Sequence, residues 1–187
     1  MVDNHNTRKP NDQVTIAFKT KAYHVRDWTI IRLPDKASAK LPSRGQNMVR
    51  GSMNGLDFMT PLEPDGNWSH WFRLTPEIQK AYNLDLTKPI EFQLTTVKQW
   101  PDPAVPKDLI QAIKSSKPAF ALWQVITPMA RWEWVRWCRS TANPETRNKR
   151  LQVTVSKLNS GHKRPCCWNR NLCTEPYISK NGVLLLS

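Results

Sequence analysis

The chain lacks any apolar run long enough to cross a membrane. The apolar residues Val183 to Leu186, near its end, are too few for an anchor. The first residues, MVDNHNTRKPNDQ, are polar and lack the apolar centre of a secretion signal. Both absences predict a cytoplasmic protein without a membrane span.

Cysteine is scarce, with 4 residues among 187. In a reducing compartment so few cysteines do not indicate a disulfide scaffold. Three of them follow a histidine near the end, and His162, Cys166, Cys167 and Cys173 together form a candidate tetrahedral zinc site. The adjacent pair Cys166 and Cys167 departs from the paired CxxC spacing of zinc knuckles. Ordinary buried or surface thiols therefore stay the alternative, and no cofactor is expected unless it is this zinc.

The sequence also lacks the short motifs of common enzyme classes. It contains no Gly-rich phosphate loop, no HExxH and no nucleophile elbow. Asp57, Glu63 and Asp65 do not pair at a spacing typical of acid–base catalysis. His24 and His70 fall in predicted strands, where a lone histidine is typical of the surface or of a satisfied core position. These absences favour a non-enzymatic protein.

Acidic residues are few beside the basic ones, and the imbalance is uneven. The net charge is +13. Residues 1–103 carry 14 Lys and Arg against 11 Asp and Glu, a balance of +3, whereas residues 104–187 carry 14 against 4, a balance of +10. A basic half favours an anionic ligand or nucleic acid as partner, and a solvated basic surface is the alternative.

The first half of the chain alternates apolar and polar residues in the way typical of strands. After a disordered lead over residues 1–12, we predict six short strands between residues 13 and 100, with one short helix that begins at Thr75. Asn54-Gly55 between two alternating runs predicts a tight hairpin, and the stretch 64–67, Pro-Asp-Gly-Asn, predicts another turn. Six strands in about ninety residues predict a small closed β-barrel.

In the second half of the chain the alternating strand pattern is absent, and residues typical of helix starts and ends appear instead. Residues 101–106 are Pro-rich and form the predicted linker, and residues 107–160 form a predicted helical domain of about four helices. The Cys-containing tail, residues 161–187, is irregular and is expected to pack back on the folded body, because an exposed Gly-Val-Leu-Leu-Leu would be an apolar patch. The predicted class is α+β.

The stretch from Thr127 to Arg150 is the most strongly patterned part of the chain. At about 100° per residue one helical face is apolar and predicts a core contact; it holds Ala130, Trp134, Trp137 and Cys138. The opposite side holds Arg131, Trp132, Val135, Arg136 and Arg139. That side is either a surface for stacking on aromatic rings or bases, or an interface with the barrel or another subunit.

A second helix begins after Asn143, which is a capping residue followed by Pro144. Leu151, Val155 and Leu158 form its predicted buried stripe, and Gly161 is its predicted C-terminal cap. Arg147 and Arg150 lie three positions apart on it. They either bind a phosphate or carboxylate, or form a structural ion-pair network with Glu145 and nearby acids.

These residues together resemble two families. The first half resembles a small bacterial β-barrel domain of unknown function, through the segments 49–55, VRGSMNG, and 58–62, FMTPL. The second half resembles the bacteriocin-protection, YdeI or OmpD-associated family, through the segments 105–109, VPKDL, and 134–137, WVRW, and through Pro144 to Arg147 with Arg150. The resemblance covers about residues 13–160. The chain departs from the second family's pattern at Trp134 and Cys138.

The resemblance implies protection against antimicrobial peptides and brings no established catalytic residues. We therefore expect a bacterial, non-enzymatic binding or stress-protection protein. One alternative is a nucleic-acid-binding module that uses the basic C-terminal half. Another is an enzyme with an unrecognised site in a cleft between barrel and helices. An oligomer is compatible with each of these.

Overall fold

The computed structural model of the chain describes residues 13–141, 143–165, 177–179 and 183–185. These residues divide into two compact units. The sheet unit comprises residues 13–99 with 183–185, and the helical unit comprises the described residues between 100 and 179. The predicted α+β class, with strands first and helices after them, is confirmed.

The sheet unit contains one antiparallel sheet of seven strands in the order β1-β7-β4-β5-β6-β3-β2. The strands are β1 Thr15–Thr20, β2 Tyr23–Val25, β3 Trp28–Arg32, β4 Asn47–Met53, β5 Leu56–Pro64, β6 His70–Arg73 and β7 Ile90–Thr96. Two short helices accompany them, α1 Asp35–Ser38 and α2 Pro76–Ala81.

The expectation of a closed six-stranded barrel with one helix is wrong, because the sheet has seven strands and two short helices accompany it. The additional strand results from a break at Lys21 and Ala22. These two residues separate β1 from β2, which form opposite edges of the sheet. Three Cα steps span at most about 11 Å, so the sheet curls until its edges approach each other. The result is a half-barrel. The break carries neither Gly nor Pro, which explains why the sequence pattern reads as one strand.

The predicted hairpin at Asn54-Gly55 is confirmed. The two residues join β4 to β5, with φ of 49° at Asn54 and 83° at Gly55. Positive φ at both positions is the type I′ geometry, whose twist matches that of the flanking strands. On the other side of β4 the backbone of β7 comes very close, because a Cβ on Gly51 would lie 1.8 Å from the carbonyl oxygen of Gln93. Only glycine permits this approach.

Aromatic rings fill the concave side of the sheet. Phe92 packs edge-on against Phe58 and Phe72, and Phe18 stacks on Phe92 with ring centres 5.1 Å apart. The alternation of side chains along each strand places these rings on one face, and this core holds the curled sheet together.

A buried polar cluster joins α1, the loop before β4 and the start of β6. His70 is fully buried, and its Nε2 donates to the carbonyl oxygen of Gly45 at 2.9 Å. A carbonyl can only accept, so Nδ1 is the acceptor for the hydroxyl of Ser38 at 2.8 Å. The side chain of Asn47 donates to the Gly45 carbonyl as well. The neutral imidazole is therefore satisfied on both nitrogens, which makes it a core histidine.

The helical unit contains four helices, α3 Lys107–Lys114, α4 Lys117–Val125, α5 Pro128–Arg139 and α6 Pro144–Asn159. The side chain of Asn143 accepts a hydrogen bond from the first turn of α6, as predicted, and that of Thr127 does the same for α5. The predicted cap at Gly161 is confirmed by its φ of 81° and by a bond from the His162 amide to the Lys157 carbonyl.

The apolar face predicted for α5 is confirmed, since Ala130, Trp134, Trp137 and Cys138 are all buried. Val135 was predicted on the outer side and is instead 1% exposed. None of the helices among the described residues combines the length and apolar composition needed to cross a membrane.

The stripe predicted for α6 is confirmed fully at Leu158 and in part at Leu151 and Val155. Leu158 is buried, whereas Leu151 and Val155 pack against the core but remain partly exposed, and Thr154 is buried beside them. Thr154 satisfies its hydroxyl by donating to the Arg150 carbonyl one turn earlier. Two aliphatic side chains of the stripe therefore face an open groove.

Burial lowers the pKa of His70 below its ordinary value, and the nearby Arg44 cation adds to this effect. The folded state thus binds the proton less readily than the unfolded state. Stability is complete above the unfolded pKa of about 6.5 and falls as the pH drops through the lowered folded pKa. NMR titration of the imidazole Cε1 proton should give His70 a pKa below the ordinary histidine value of about 6.5, and urea unfolding should show stability falling below about pH 6.5. A His70 pKa at or above about 6.5 would contradict the assignment.

Candidate functional site

Arg147 of α6 fastens three helices of the helical unit to one another. Its Nε and Nη2 donate to the two carboxylate oxygens of Asp108 on α3, at 2.6 and 2.9 Å. Its Nη1 donates to the Cys138 carbonyl, near the end of α5, at 2.8 Å. This arginine clamp satisfies a carbonyl that the helix end leaves without an intrahelical partner, and the paired charges lower the pKa of the Asp108 carboxyl.

Arg150, one turn further along α6, holds the same end of α5. Its Nη1 donates to the Trp137 carbonyl at 2.6 Å and to the hydroxyl of Ser140. Its guanidinium carbon lies 5.4 Å from the centre of the Trp137 ring. Glu145 and nearby acids were the predicted ion-pair partners of the two arginines. The acid that pairs with Arg147 is instead Asp108, which is distant in the sequence. Whether Arg147 and Arg150 also bind an anion stays a prediction.

The second predicted group lies along the segment that leads into the helical unit. Trp132 donates its indole N–H to the Pro101 carbonyl at 2.8 Å, and Arg139 donates to the Ala104 carbonyl at 3.0 Å. Arg136 is partly buried. Arg131, predicted on the same side of the helix, bonds the Trp123 carbonyl and pairs with Asp102. A ligand role for Trp132, Arg136 and Arg139 stays a prediction.

The candidate zinc site falls mostly outside the described residues. Cys166, Cys167 and Cys173 are not described, and His162 is exposed beyond the end of α6. Within the described ranges no three His, Cys, Asp or Glu side chains converge as metal ligands would. Cys138 is buried, and burial raises the pKa of its thiol, which makes it unreactive. The zinc site stays a prediction.

A groove of about 510 Å³ runs between α3 and the second half of α6. Its lining consists of Ala112, Ser115, Leu151, Gln152, Val155, Ser156, Asn159 and Ser160. Leu151 and Val155 form an apolar floor, and short hydroxyl and amide side chains form the rim. Small side chains at Ala112, Ser115 and Ser156 leave the space open. That pattern of small residues beside aliphatic ones is the signal that could have indicated the groove in the sequence.

The described part of the chain thus defines a two-domain α+β protein with a curled sheet and a helical unit that carries an apolar groove. Residues 17–94 match the family described as Domain of unknown function (DUF1905), and residues 102–161 match the family described as Bacteriocin-protection, YdeI or OmpD-Associated. The chain therefore carries a match to each of these two families, in this order, and the predicted resemblance is confirmed. No curated protein matches the chain.

The arginine clamp gives a stability prediction. Arg147→Lys keeps the charge but cannot donate to both Asp108 oxygens and to the Cys138 carbonyl at once. We expect the free energy of unfolding to fall by about 1–3 kcal/mol, measured by urea unfolding. Lys149→Arg, at an exposed position of the same helix, is the control and should change it by less than about 0.5 kcal/mol. Equal stability of Arg147→Lys and the wild type would show that the clamp contributes nothing.

Proposed function

We propose that this is a non-catalytic binding protein whose helical unit takes an acidic, amphipathic segment of a partner protein or peptide into the groove between α3 and α6. The observation that carries the proposal is the groove itself. Its volume falls within the range of roughly 300–1,000 Å³ common to ligand sites, and it has the combination of apolar floor and polar rim that such sites show.

The chemistry of the lining supports binding without catalysis. The lining residues include no carboxylate, histidine, cysteine or lysine. Its serines have no general base within the lining to activate them, and activation is what a serine nucleophile requires. Hydroxyl and amide groups around aliphatic side chains suit the recognition of a peptide backbone and its apolar side chains.

The charge around the groove selects an acidic occupant. Most acidic side chains described in the helical unit are neutralised in ion pairs, Asp102 with Arg131, Asp108 with Arg147 and Glu133 with Arg164. Glu145 is exposed at the start of α6, at the end of the helix away from the groove. No described acidic group therefore opposes a negatively charged partner at the groove.

Three lysines lie at the groove end of these helices. Lys114 and Lys157 each adjoin a lining serine in the sequence. The hydroxyl of Ser116 donates to the side-chain oxygen of Asn159 at 2.7 Å, which brings Lys117 at the start of α4 to the same end. Within the described residues none of these lysines forms an ion pair. A partner with carboxylates on one face and aliphatic residues on the other would complement both charge and floor.

The dimensions indicate a short segment. From Leu151 to Ser160 the groove follows nine helical steps, a length of about 13 Å at 1.5 Å per residue. An amphipathic helix of about two turns would cover this length with two or three apolar side chains.

The family's description as bacteriocin protection supports a protective role, in which the bound segment belongs to a protein of the toxin response.

A fluorescence-anisotropy assay tests the groove. The probe is a labelled 16-residue peptide with leucines at helical spacing and glutamates at the other positions. It should bind the wild type, and Val155→Glu should weaken binding at least tenfold by placing a carboxylate on the apolar floor. Val125→Glu is the matched control, because Val125 is 75% exposed on α4 and does not line the groove.

Two further peptides separate the groove from the general attraction of a basic protein for acids. A peptide of the same composition with its leucines scattered should bind more weakly, and one with lysine in place of glutamate should not bind. Equal binding of Val155→Glu and the wild type would overturn the groove as the site. In a bacteriocin-sensitive bacterial strain, the wild type and Val125→Glu should protect, whereas Val155→Glu should not.

A further inference from the structure

The hairpin that joins β5 to β6 holds the indole of Trp68 in solvent on a strained backbone. Trp68 is 78% exposed, more than any other large apolar side chain described. Its φ is +69°, a conformation that glycine and asparagine adopt readily and a bulky residue does not. Such backbone strain costs about 1 kcal/mol or more and persists only where the surroundings enforce it.

Hydrogen bonds from the hairpin backbone to a buried carboxylate enforce this conformation of Trp68. Asp65 is 2% exposed, and its Oδ1 accepts hydrogen bonds from the backbone amides of Asn67 and Ser69 at 2.7 and 2.8 Å. Its Oδ2 accepts from Arg32 at 2.8 Å. The backbone of the hairpin is thus held from inside, and the indole is fixed on an ordered support. A fixed aromatic surface loses little conformational entropy when a ligand binds.

A cation accompanies the ring. Arg44, on the loop before β4, donates from Nη1 to the Trp68 carbonyl at 3.1 Å, and its guanidinium carbon lies 5.8 Å from the ring centre. The carbonyl contact uses one of the five N–H groups of the guanidinium. An aromatic face with an adjacent cation matches a planar ring that carries a negative group nearby.

We propose that Trp68 and Arg44 form a stacking site for one nucleotide of single-stranded nucleic acid. The base stacks on the indole, and the guanidinium binds the adjoining phosphate. The site lies in the sheet unit and is independent of the groove in the helical unit. Gly66 and Asn67, the exposed residues that precede Trp68 in the hairpin, are not large apolar residues, so the tip lacks the contiguous apolar surface that a membrane-inserted wedge needs.

The test compares full-length variants in their affinity for a fluorescein-labelled dT12 oligonucleotide at low salt. Trp68→Gly should weaken binding by about 5- to 100-fold, the range for the loss of one stacked base. The same variant should melt at an equal or higher temperature than the wild type, because glycine relieves the positive φ. Loss of binding can then not be attributed to unfolding. Trp68→Phe should retain most of the affinity.

Arg44→Gln should weaken binding and reduce the slope of log affinity against log salt by about 0.7, the value for one phosphate contact on a single strand. Val125→Ala, which removes exposed apolar surface elsewhere, should bind like the wild type. Free dTMP distinguishes the two sources of the ligand chemistry: if it competes at the affinity of the oligonucleotide, the site takes free nucleotides, and otherwise it takes strands.

Two results would overturn the proposal. One is equal dT12 affinity for Trp68→Gly and the wild type, which would mean that any binding comes from the general basic charge. The other is Trp68-dependent binding to phosphatidylglycerol vesicles without Trp68-dependent binding to dT12 or dTMP, which would make the hairpin a membrane contact.

Discussion

The contact of Arg147 with Asp108 and with the Cys138 carbonyl determines the arrangement of the helical unit. One guanidinium takes ligands from α3 and α5 while it belongs to α6, so three helices share a single fixed point. A lysine could satisfy one of these groups but not the set, because only the planar fork of arginine presents its donors in several directions at fixed angles. The separation of α3 and α6 at this end follows from the clamp.

The groove depends on that separation. Near the clamp the two helices are joined by a charged pair, and further along α6 they are lined by alanine and serine, whose side chains are too short to close the space. Leu151 and Val155 consequently keep part of their surface open although they touch the core of the unit. The same helix therefore supplies the structural contact at its first half and the candidate binding surface at its second half.

The sheet unit likewise combines residues that stabilise the fold with an apolar side chain that faces solvent. Gly51 permits the close approach of β4 and β7, and the cluster around His70 ties α1 and the loop before β4 to β6. On this support the Asp65 side chain holds a tight hairpin whose exposed residue is Trp68. In both units hydrogen-bonded polar groups position apolar side chains that face solvent.

Local chemistry made much of the fold predictable from the sequence. Asn54-Gly55, Thr75 and Asn143 specify a turn and two helix starts through their own backbone and side-chain bonding, so each was placed correctly. The break at Lys21 was not predictable, because it depends on the pairing of β1 with β7, a strand far away in the chain, whereas β2 pairs with the neighbouring β3. The pairing of Arg147 with Asp108, 39 residues earlier, was not predictable either, because no pattern within the helix contains that information.

The candidate sites were harder to predict for the same reason. The five aromatic and basic residues named from the sequence were chosen for their chemistry, and the structure gives Arg147, Arg150, Trp132 and Arg139 partners within the helical unit. The groove was hidden because aliphatic residues on a helix normally indicate a core. Trp68 directly follows the predicted turn at residues 64–67. Its exposure accompanies a positive φ, which a tryptophan in the sequence does not predict.

The most direct test of the central claim is methyl-resolved NMR of the full-length protein, labelled at Ala, Leu and Val and titrated with the Leu/Glu amphipathic peptide. If the groove between α3 and α6 is the binding site, the methyl signals of Ala112, Leu151 and Val155 shift progressively while that of Val125 stays in place. If those three signals remain unchanged at saturating peptide, or if the shifts are confined to methyl groups outside the groove, the peptide does not bind in the groove between α3 and α6 and the central claim is contradicted.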